Sequence, residues 1–315
     1  MKLLSQAAFK RARLFLHDRA RPLDKALFKY RFENASSQQV IAELGKYQNS
    51  DGGFGHGLEP DMRTPGSSSL ATGLGLQILK EVGCSSEHPM VRRAIDYILE
   101  NYNQQLAGWR VVPVDANEYP HAPWWHDDNG SLAEVFDGFR IIPRAQIAGL
   151  LVDYSDLVLE SWLDELLRTT VDHIVNVNKL GTGGGDDLVY ASQLAETKGL
   201  PEDLRKTLRE RILLVTPRVI SRNPDEWGSY SITPLKVAPS PDSIAADTIH
   251  DEIEMHLDYQ IDNQSPEGFW RPTWSWGDLY PDVWKQVEVQ WQGHLTLETL
   301  TSLRDYDRIE WLDPP

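Results

Sequence analysis

The sequence predicts an all-α protein built from repeated pairs of helices, and three observations support this fold class. A similar phrase of Gln, a short turn, Gly and an aromatic residue occurs at 48–54, 104–109 and 264–270. Amphipathic helical segments precede these phrases, and helices rich in small residues recur along the chain. A phrase repeated at separated positions indicates one structural unit that is used several times.

The first class of helix carries one apolar stripe. Apolar residues at positions 91, 94, 95, 98 and 99 follow the spacing of a helix with one buried face. The segment 249–260 is predicted to do the same through Ile249, Ile253, Met255, Leu257 and Tyr259. Each segment ends at a polar turn that contains Gly, which is typical of a helix C-terminus.

The second class of helix is rich in Ala, Gly, Ser and Thr and poor in charge. It is predicted at 67–79, 144–151, 187–195 and 294–303. Such helices are buried on most sides, where backbones must approach closely. The alternation of the two classes predicts an outer ring of helices around an inner ring. Because repeat folds of this size commonly form one body, we expect a single domain over 1–315.

The charge of the chain limits the partners that we expect. The formal net charge is -16, which disfavours nucleic acid and acidic polysaccharides as ligands. Residues 1–32 are an exception, since they contain nine Lys or Arg against Asp18 and Asp24. Two interpretations of this basic helical segment stay open: it packs on the acidic remainder of the chain, or it contacts an anionic membrane surface.

The start of the chain and its cysteine content predict a cytoplasmic protein. The apolar run after Met1 is interrupted at Ser5, so that we expect no secretory signal. The single Cys84 excludes an internal disulfide and a site with several cysteine ligands.

The repeated phrase resembles that of a known superfamily. The phrase consists of Gln, a turn, Gly and then Trp or Phe, and it precedes a helix with Ala-Thr. This pattern is similar to the repeat of the squalene-hopene cyclases, of related class II terpene cyclases and of protein prenyltransferase β-subunits. The best matches are 48–76 and 264–300. The resemblance implies an α/α toroid, a closed ring of inner and outer helices around a central cavity. It also implies structural roles for Gln48, Phe54, Gln104, Trp109, Gln264 and Trp270.

One group of candidate residues follows the first phrase. His56, Glu59, Asp61 and Arg63 lie within eight residues, in a loop that we expect at the rim of the cavity. Two neighbouring carboxylates raise each other's pKa, and one can then act as an acid near neutral pH. A salt bridge of Arg63 with Glu59 or Asp61 is the structural alternative.

A second group is the aspartate pair Asp186 and Asp187. The segment 183–191 resembles the Asp-x-Asp-Asp-Thr-Ala motif of class II terpene cyclases, which implies that Asp186 is the proton donor and Asp187 the last aspartate. Gly184 stands where the family has its first Asp. The alternative is that both aspartates open a helix and stabilise its dipole.

A third group lies in the loop 117–128, which is bounded by prolines and carries aromatic and polar side chains. The candidate substrate-binding residues are Asn117, His121, Trp124, Trp125, His126, Asp127 and Asp128. The indoles could stack on a sugar or stabilise a carbocation, and the structural alternative is that they anchor the loop to the core. Trp227, Trp274 and Trp276 are further candidates for a cavity lining, although packing in the core is the alternative for most tryptophans of the C-terminal third.

No metal ion or other cofactor is expected. His294 resembles the zinc-binding His of the prenyltransferase β-subunits, but the Asp-x-Cys that accompanies it is absent. The chain also lacks a glycine-rich phosphate loop and a nucleophile elbow.

Three functions remain open at this stage. The first is an enzyme that cyclises or isomerises an isoprenoid after protonation, with a small hydrophobic molecule as its substrate. The second is a glycosidase-like enzyme acting on neutral sugars, because other α/α toroids carry that chemistry and Trp residues with paired carboxylates suit it. The third is a binding or scaffold protein without catalysis.

Overall fold

The computed structural model describes residues 1–182 and 185–310, and this part of the chain is all-α. Helix accounts for 59% of the chain, and the only β-type pairings in the described ranges are isolated bridges. The prediction of an all-α protein is therefore confirmed. The helices are α1 (Gln6–Arg19), α2 (Pro22–Phe32), α3 (Ser37–Leu44), α4 (Ser69–Glu81), α5 (Pro89–Glu100), α6 (Ser131–Val135), α7 (Arg144–Asp153), α8 (Glu160–Asn176), α9 (Asp186–Glu196), α10 (Glu202–Val219), α11 (Pro234–Val237), α12 (His250–Asp262) and α13 (Pro281–Asp305).

The chain divides into two compact units. One unit is formed by residues 1–40 together with 216–315, and the other by residues 41–215. The prediction of a single domain over 1–315 stays a prediction.

In the unit 41–215 the two predicted classes of helix occupy different places. The small-residue helices α4, α7 and α9 follow one another as packed neighbours, while α5 packs on α4 and α8 packs on α7. Gly73 shows why small residues are needed, because a Cβ atom there would lie 2.6 Å from the Gln146 side chain of α7. Nine of the ten residues of α7 are buried. Within this unit, the small-residue helices therefore pack on one another, as their composition predicts.

The first repeated phrase forms a turn that is tied together by the Gln48 side chain. Its side-chain amide nitrogen, Nε2, donates to the carbonyl of Gly52 at 2.9 Å and to that of Met90 in α5 at 3.0 Å. The side chain of Arg93 donates to Gln48 Oε1. The phrase ends at Phe54, whose backbone N–H donates to Thr72 Oγ1 of α4 at 3.0 Å.

The third phrase, in the other unit, repeats these contacts one for one. Gln264 Nε2 donates to the carbonyls of Gly268 and Ala8 at 3.0 and 3.1 Å, and Arg11 donates to Gln264 Oε1 at 3.2 Å. The backbone N–H of Trp270 donates to Thr296 Oγ1 at 3.2 Å. The first and third phrases are thus the same structural unit at the level of single hydrogen bonds.

The second phrase is built differently. Asn103 takes the turn-forming role, since its Oδ1 accepts from the backbone N–H groups of Gln105 and Leu106. Gln104 is exposed, so that its expected structural role is wrong. Trp109 is fully buried as expected and donates from Nε1 to the carbonyl of Ile98 at 2.7 Å.

The equivalence of the phrases assigns a place to α1. In the first phrase the Gln reaches α5, the helix after α4, whereas in the third it reaches α1 at the other end of the sequence. Leu4 pairs with the segment after α13, through Leu4 N–H to Arg308 C=O and Glu310 N–H to Leu4 C=O. The first helix of the chain therefore completes the last repeat.

The basic segment 1–32 is rich in contacts with acidic and carbonyl groups of its own unit. Arg13 and His17 both bind Glu33, at 2.7 and 3.0 Å, and Arg31 binds Glu298 at 2.7 Å. Lys2 pairs with Asp262. These contacts favour the interpretation that the segment packs on the acidic part of the chain.

Two details differ from the sequence analysis. Met255 is 45% exposed, and His256 takes the predicted buried place beside Ile253 and Leu257. Helix α13 begins at Pro281, well before the predicted start at residue 294. None of the helices found in the described ranges has the length and apolar character needed to cross a membrane.

Candidate functional site

Two loops of the unit 41–215 lie against each other and carry most of the residues predicted to have a function. We name residues 56–63 the carboxylate loop and residues 117–128 the aromatic loop. The backbone N–H of Arg63 donates to the carbonyl of Pro120 at 3.0 Å, and that of Ala122 donates to the carbonyl of Asp61 at 2.8 Å. Met62 and His121 face each other in an isolated antiparallel bridge. The fold thus joins two groups that are more than fifty residues apart in sequence.

The carboxylate loop turns its acids inward and its histidine outward. Glu59 and Asp61 are 8% and 2% exposed, although carboxylates are rarely buried to this extent. His56 is exposed, has a φ of 55°, and its Nε2 lies 2.8 Å from Asn49 Oδ1. The loop therefore places two acids, rather than the predicted imidazole, in the interior.

Arg63 lies along the backbone of this loop. A Cβ atom at Gly57, whose φ is 72°, would stand 2.5 Å from the guanidinium nitrogen Nη1 of Arg63. Gly57 is thus required both by its backbone conformation and by the close approach of Arg63. The guanidinium charge is held next to the segment that carries Glu59 and Asp61.

In the aromatic loop, Asn117 and Asp127 close the two ends. Asn117 Nδ2 donates to the carbonyl of Asp127 at 2.9 Å, and the backbone N–H of Asp127 donates to Asn117 Oδ1 at 3.0 Å. The Asp127 carboxylate binds Arg110 at 2.7 Å. These contacts give both residues a role in holding the loop.

The remaining polar residues of this loop form a chain of hydrogen bonds. His121 is 2% exposed, and its Nδ1 lies 2.6 Å from the carbonyl oxygen of Tyr119. His121 Nε2 lies 2.9 Å from His126 Nδ1, and His126 Nε2 lies 3.1 Å from Asp128 Oδ1. The chain leads from a buried imidazole to a carboxylate at the surface.

The two tryptophans of the aromatic loop have different environments. Trp124 is 38% exposed and could offer an indole face to a ligand. Trp125 is 8% exposed and stacks on Phe136 with 5.6 Å between the ring centroids. Its Nε1 is buried and has no hydrogen-bond acceptor within the part of the chain that the structure describes. Trp125 therefore supplies an aromatic surface in the interior.

The aspartate pair opens α9, and its two members differ. The Asp187 carboxylate accepts from the backbone N–H groups of Gly181 and Leu188, at 3.1 and 2.8 Å. Burial is the largest influence and raises the pKa of Asp187, and the charge of Asp186 adds to this rise. Asp187 thus holds the turn before α9, as the structural alternative predicts. Gly184, at the place of the family's first Asp, lies outside the described residues.

Tyr190 lies one turn further along α9 and is influenced by the charges of both acidic groups, Asp186 on its own helix and Glu59 in the carboxylate loop. Burial raises the pKa of its phenol, and the negative charges of Asp186 and Glu59 raise this pKa further. The phenol therefore stays protonated at all ordinary pH values. Its O–H group can donate one hydrogen bond, and its oxygen can also accept. Sequence reasoning missed this residue, because a Tyr in a helix full of small residues is most simply interpreted as a core residue.

A narrow recess borders the carboxylate loop. It contains about 170 Å³ of space between atoms and includes Glu59 in its lining, with Gly55, Gly57, Leu58, Met62, Thr64, Gly66, Ser68 and Ala71. Pockets that enclose a small-molecule ligand usually have a volume of about 300 to 1,000 Å³. The recess by itself cannot enclose a substrate.

The three other candidate tryptophans belong to the unit formed by 1–40 and 216–315. Trp227 is 2% exposed, donates from Nε1 to the carbonyl of Ser221 at 3.0 Å, and packs edge-on against His256. Trp276 is 1% exposed and lies 5.8 Å from Trp284, and the half-buried Trp274 packs edge-on against Trp291. All three contacts are typical of core packing.

Comparison with known proteins gives no further assignment: no family model, curated protein or solved structure matches this chain. In residues 1–182 and 185–310, no three His, Cys, Asp or Glu side chains are grouped so that they could hold a metal ion. The site is therefore defined by its own geometry, as buried carboxylates and a neutral phenol beside an aromatic loop.

Proposed function

We propose that this protein is an enzyme of the α/α toroid type that protonates an isoprenoid and so starts its cyclisation or isomerisation. The observation that carries the proposal is that the negative charges of Glu59 and Asp186, which come from separate sequence motifs, both raise the pKa of the Tyr190 phenol. An acid that protonates a weakly basic substrate must keep its proton near neutral pH, and burial among other negative charges favours the protonated form of a carboxyl group. The substrate would be a small hydrophobic molecule.

The residues would divide the work as follows. Glu59 or Asp186 donates the proton, and the Tyr190 O–H group stabilises the carboxylate that remains, because a hydrogen bond to the charged form favours it. Asp61 is the second candidate acid in the carboxylate loop. The interior ring of Trp125 and its neighbour Phe136 offer π faces to a developing carbocation. Asp187 holds the start of α9 in place.

The toroid itself is part of the proposal. It is supported by the matching hydrogen bonds of the first and third phrases and by the way in which α1 completes the last repeat. A closed ring of repeats requires this kind of contact between the two ends of a chain. Peripheral contact of the basic segment 1–32 with an anionic membrane, where an isoprenoid substrate would reside, also stays a proposal.

The first experiment identifies the substrate class. Ligands extracted from the purified protein are analysed by mass spectrometry, and the protein is then incubated with squalene, 2,3-oxidosqualene and geranylgeranyl diphosphate in detergent. We expect a cyclised or isomerised hydrocarbon skeleton. A parallel incubation with neutral p-nitrophenyl glycosides tests glycoside hydrolysis, which the exposed face of Trp124 favours as a second candidate.

The second experiment tests the acid. Asp186→Asn and Glu59→Gln are each expected to lower turnover about a hundredfold or more if the residue is the proton donor. Tyr190→Phe should lower it about tenfold, because one stabilising hydrogen bond is lost. Glu118→Gln, at an exposed position of the aromatic loop, is the matched control and should keep full activity. Full turnover by Asp186→Asn would transfer the acid role to Glu59 or Asp61, and full turnover by Asp186→Asn, Glu59→Gln and Asp61→Asn alike would refute the proposal.

A further inference from the structure

Arg144 is a buried cation at a place where a positive charge is unfavourable. It is the first residue of α7 and is 3% exposed. Removing a charge from water costs free energy unless an opposite charge compensates it. The N-terminal end of a helix carries a partial positive charge of its own, which repels a cation. An arginine at this place therefore needs a compensating anion.

The side chains that the structure describes do not supply this anion. Within residues 1–182 and 185–310, no carboxylate oxygen lies within 4.0 Å of the Arg144 guanidinium. Its Nη2 donates to the carbonyl of Leu166 at 3.4 Å and to Thr169 Oγ1, and both of these acceptors in α8 are neutral. Its Nε is buried and has no acceptor in the same ranges. The guanidinium thus joins α7 to α8, while its charge is left without a counter-ion among these residues.

A second arginine adds to the positive charge. Arg140 is exposed, and a Cβ atom at Gly138 would lie 3.5 Å from its Nε. Asp137, the nearest acid in sequence, lies 2.6 Å from a histidine of α8. Burial is the largest influence and lowers the pKa of Arg144, the phenol of Tyr102 opposes this shift, and the charge of Arg140 adds to it. The two guanidinium groups are therefore close enough for each to feel the charge of the other.

The backbone that leads to the two arginines is strained. Asp137, Gly138 and Phe139 have consecutive φ values of 48°, 65° and 60°. Such left-handed conformations are costly for residues other than glycine, and they cluster at active sites and ligand clamps. A Cβ atom at Gly108 would lie 3.4 Å from the carbonyl oxygen of Phe139 and 3.7 Å from Cδ of Arg144. The strained turn and the buried arginine thus meet at one place, beside Gly108.

We propose that Arg144 and Arg140 form a binding site for one oxyanion, the carboxylate or phosphate group of a small molecule. A guanidinium group offers paired N–H donors whose spacing matches two oxygens of such a group. The bound anion supplies the negative charge that Arg144 lacks, and the exposed Arg140 receives it from solvent. The site lies outside the carboxylate loop and the aromatic loop, and it does not depend on the proposed function.

The first test measures anion binding to the full chain. Inorganic phosphate, hexanoate and hexyl phosphate are titrated by isothermal titration calorimetry at constant ionic strength, and we expect saturable binding. Thermal unfolding should shift upward by about 2 to 4 °C at about ten times the dissociation constant. Tighter binding of a hexyl compound than of inorganic phosphate would identify an organic molecule with an anionic end as the ligand, and the reverse order would identify free phosphate. Absence of saturable binding of all three anions would overturn the proposal.

The second test locates the binding by substitution. Arg144→Lys keeps the charge but loses the paired donors, and Arg140→Gln removes the second charge. Each should weaken anion binding about tenfold or more, because a charge-assisted hydrogen bond is lost. Arg209→Gln, at an exposed position of α10, is the matched control and should bind as the parent chain does. Unchanged affinity in either Arg144→Lys or Arg140→Gln would refute the site, and the exposed Arg140 decides alone if Arg144→Lys does not fold.

A purely structural role of Arg144 predicts a different pattern. Arg144→Lys would then lower the melting temperature by the same amount with and without phosphate, whereas an anion site makes the difference between parent and variant grow with phosphate concentration. These readouts do not depend on catalysis. If the anions bind as expected but no turnover is found, the anion site stands and the proposed function fails. If turnover is found without anion binding, the proposed function stands and the anion site is refuted.

Discussion

At the scale of single residues, glycines decide where the chain can make its closest contacts. Gly52 and Gly268 occupy the same place in the first and third phrases, with φ values of 91° and 101°. A Cβ atom at Gly52 would lie 2.2 Å from the carbonyl oxygen of Arg93, and one at Gly268 would lie 2.4 Å from the carbonyl carbon of Arg11. Both positions therefore require glycine for its conformation and for its size.

Two substitutions can separate these causes. Gly83 also has a positive φ, 78°, but a Cβ atom there meets nothing within 4 Å. Gly83→Ala should cost about 1 kcal/mol of unfolding free energy from backbone strain alone. Gly52→Ala should cost about 2 kcal/mol more, because the backbone of α5 has to move. Urea denaturation of both variants measures the difference, and equal costs would show that α5 yields to the added methyl group.

A second residue of interest is His256, which is buried in the unit formed by 1–40 and 216–315. Burial lowers its pKa from 6.5 to about 3, so that the imidazole is neutral in the folded state at ordinary pH. In the unfolded state the imidazole takes up a proton below about pH 6.5. The stabilisation that comes from the neutral form is therefore fully present above that pH and is lost as pH falls toward 3.

The expected result is a loss of up to about 1.4 kcal/mol per pH unit between about pH 6 and pH 4 from this residue. His256→Gln should reduce that slope, although it costs stability at pH 8 through lost packing against Trp227. His250→Gln, at an exposed position of the same helix, is the control. Urea denaturation at several pH values gives the slopes. An unchanged slope in His256→Gln would show that the imidazole is already charged in the folded protein.

At the scale of secondary-structure elements, the repeated phrase is the feature that sequence reasoning predicts best. Periodicity places α5 and α12 within about two residues of their observed bounds, and small-residue composition finds α4, α7 and α9. The early start of α13 carries a signal as well, since Pro281 stands at the first helical position, where proline is favoured. The sequence does not distinguish the roles of Gln104 and the neighbouring Asn103 in the second phrase, because both side chains can build such a turn.

The three phrases make a graded prediction. Gln48→Leu and Gln264→Leu should each destabilise the protein by about 1 to 3 kcal/mol, because two carbonyl groups lose their donor and an arginine loses its acceptor. Gln104→Leu should be within about 0.5 kcal/mol of the parent, since this side chain is exposed. Thermal and urea denaturation measure the three variants. A large cost at Gln104 would contradict the reassignment of that turn to Asn103.

At the scale of the whole molecule, the first and last helices belong to one repeat. Leu4 is hydrogen-bonded to Arg308 and Glu310, and the side chain of Arg308 donates from Nε to the carbonyl of Lys2 at 2.6 Å. The last repeat is therefore built from both ends of the chain, since it contains the first helix as well as the last. A break between two other helices should be tolerated if these ends are joined.

A circular permutant tests this order. Residues 310 and 1 are joined by a short Gly/Ser linker, and new ends are made at the exposed turn around Gly83, between α4 and α5. We expect a folded protein with one cooperative transition and a helical circular dichroism signal like that of the parent, because Gly83 lies in an exposed turn and such turns tolerate new chain ends. Deletion of residues 1–20 is the comparison and should abolish cooperative unfolding. A stable deletion variant would show that the last repeat does not need α1.

The sequence by itself determined the helices and the repeated turn, because periodicity, small-residue composition and the Gln and Gly positions act over a few residues. It also identified the two loops that carry Glu59, Asp61, His121 and His126. The tertiary structure alone decided that these loops are joined, that the charges of Glu59 and Asp186 raise the pKa of Tyr190, and that Trp227 and Trp276 are packed in the core. The reason is physical: burial and the fields of distant charges depend on which segments meet in space, and spacing along the chain does not fix those meetings.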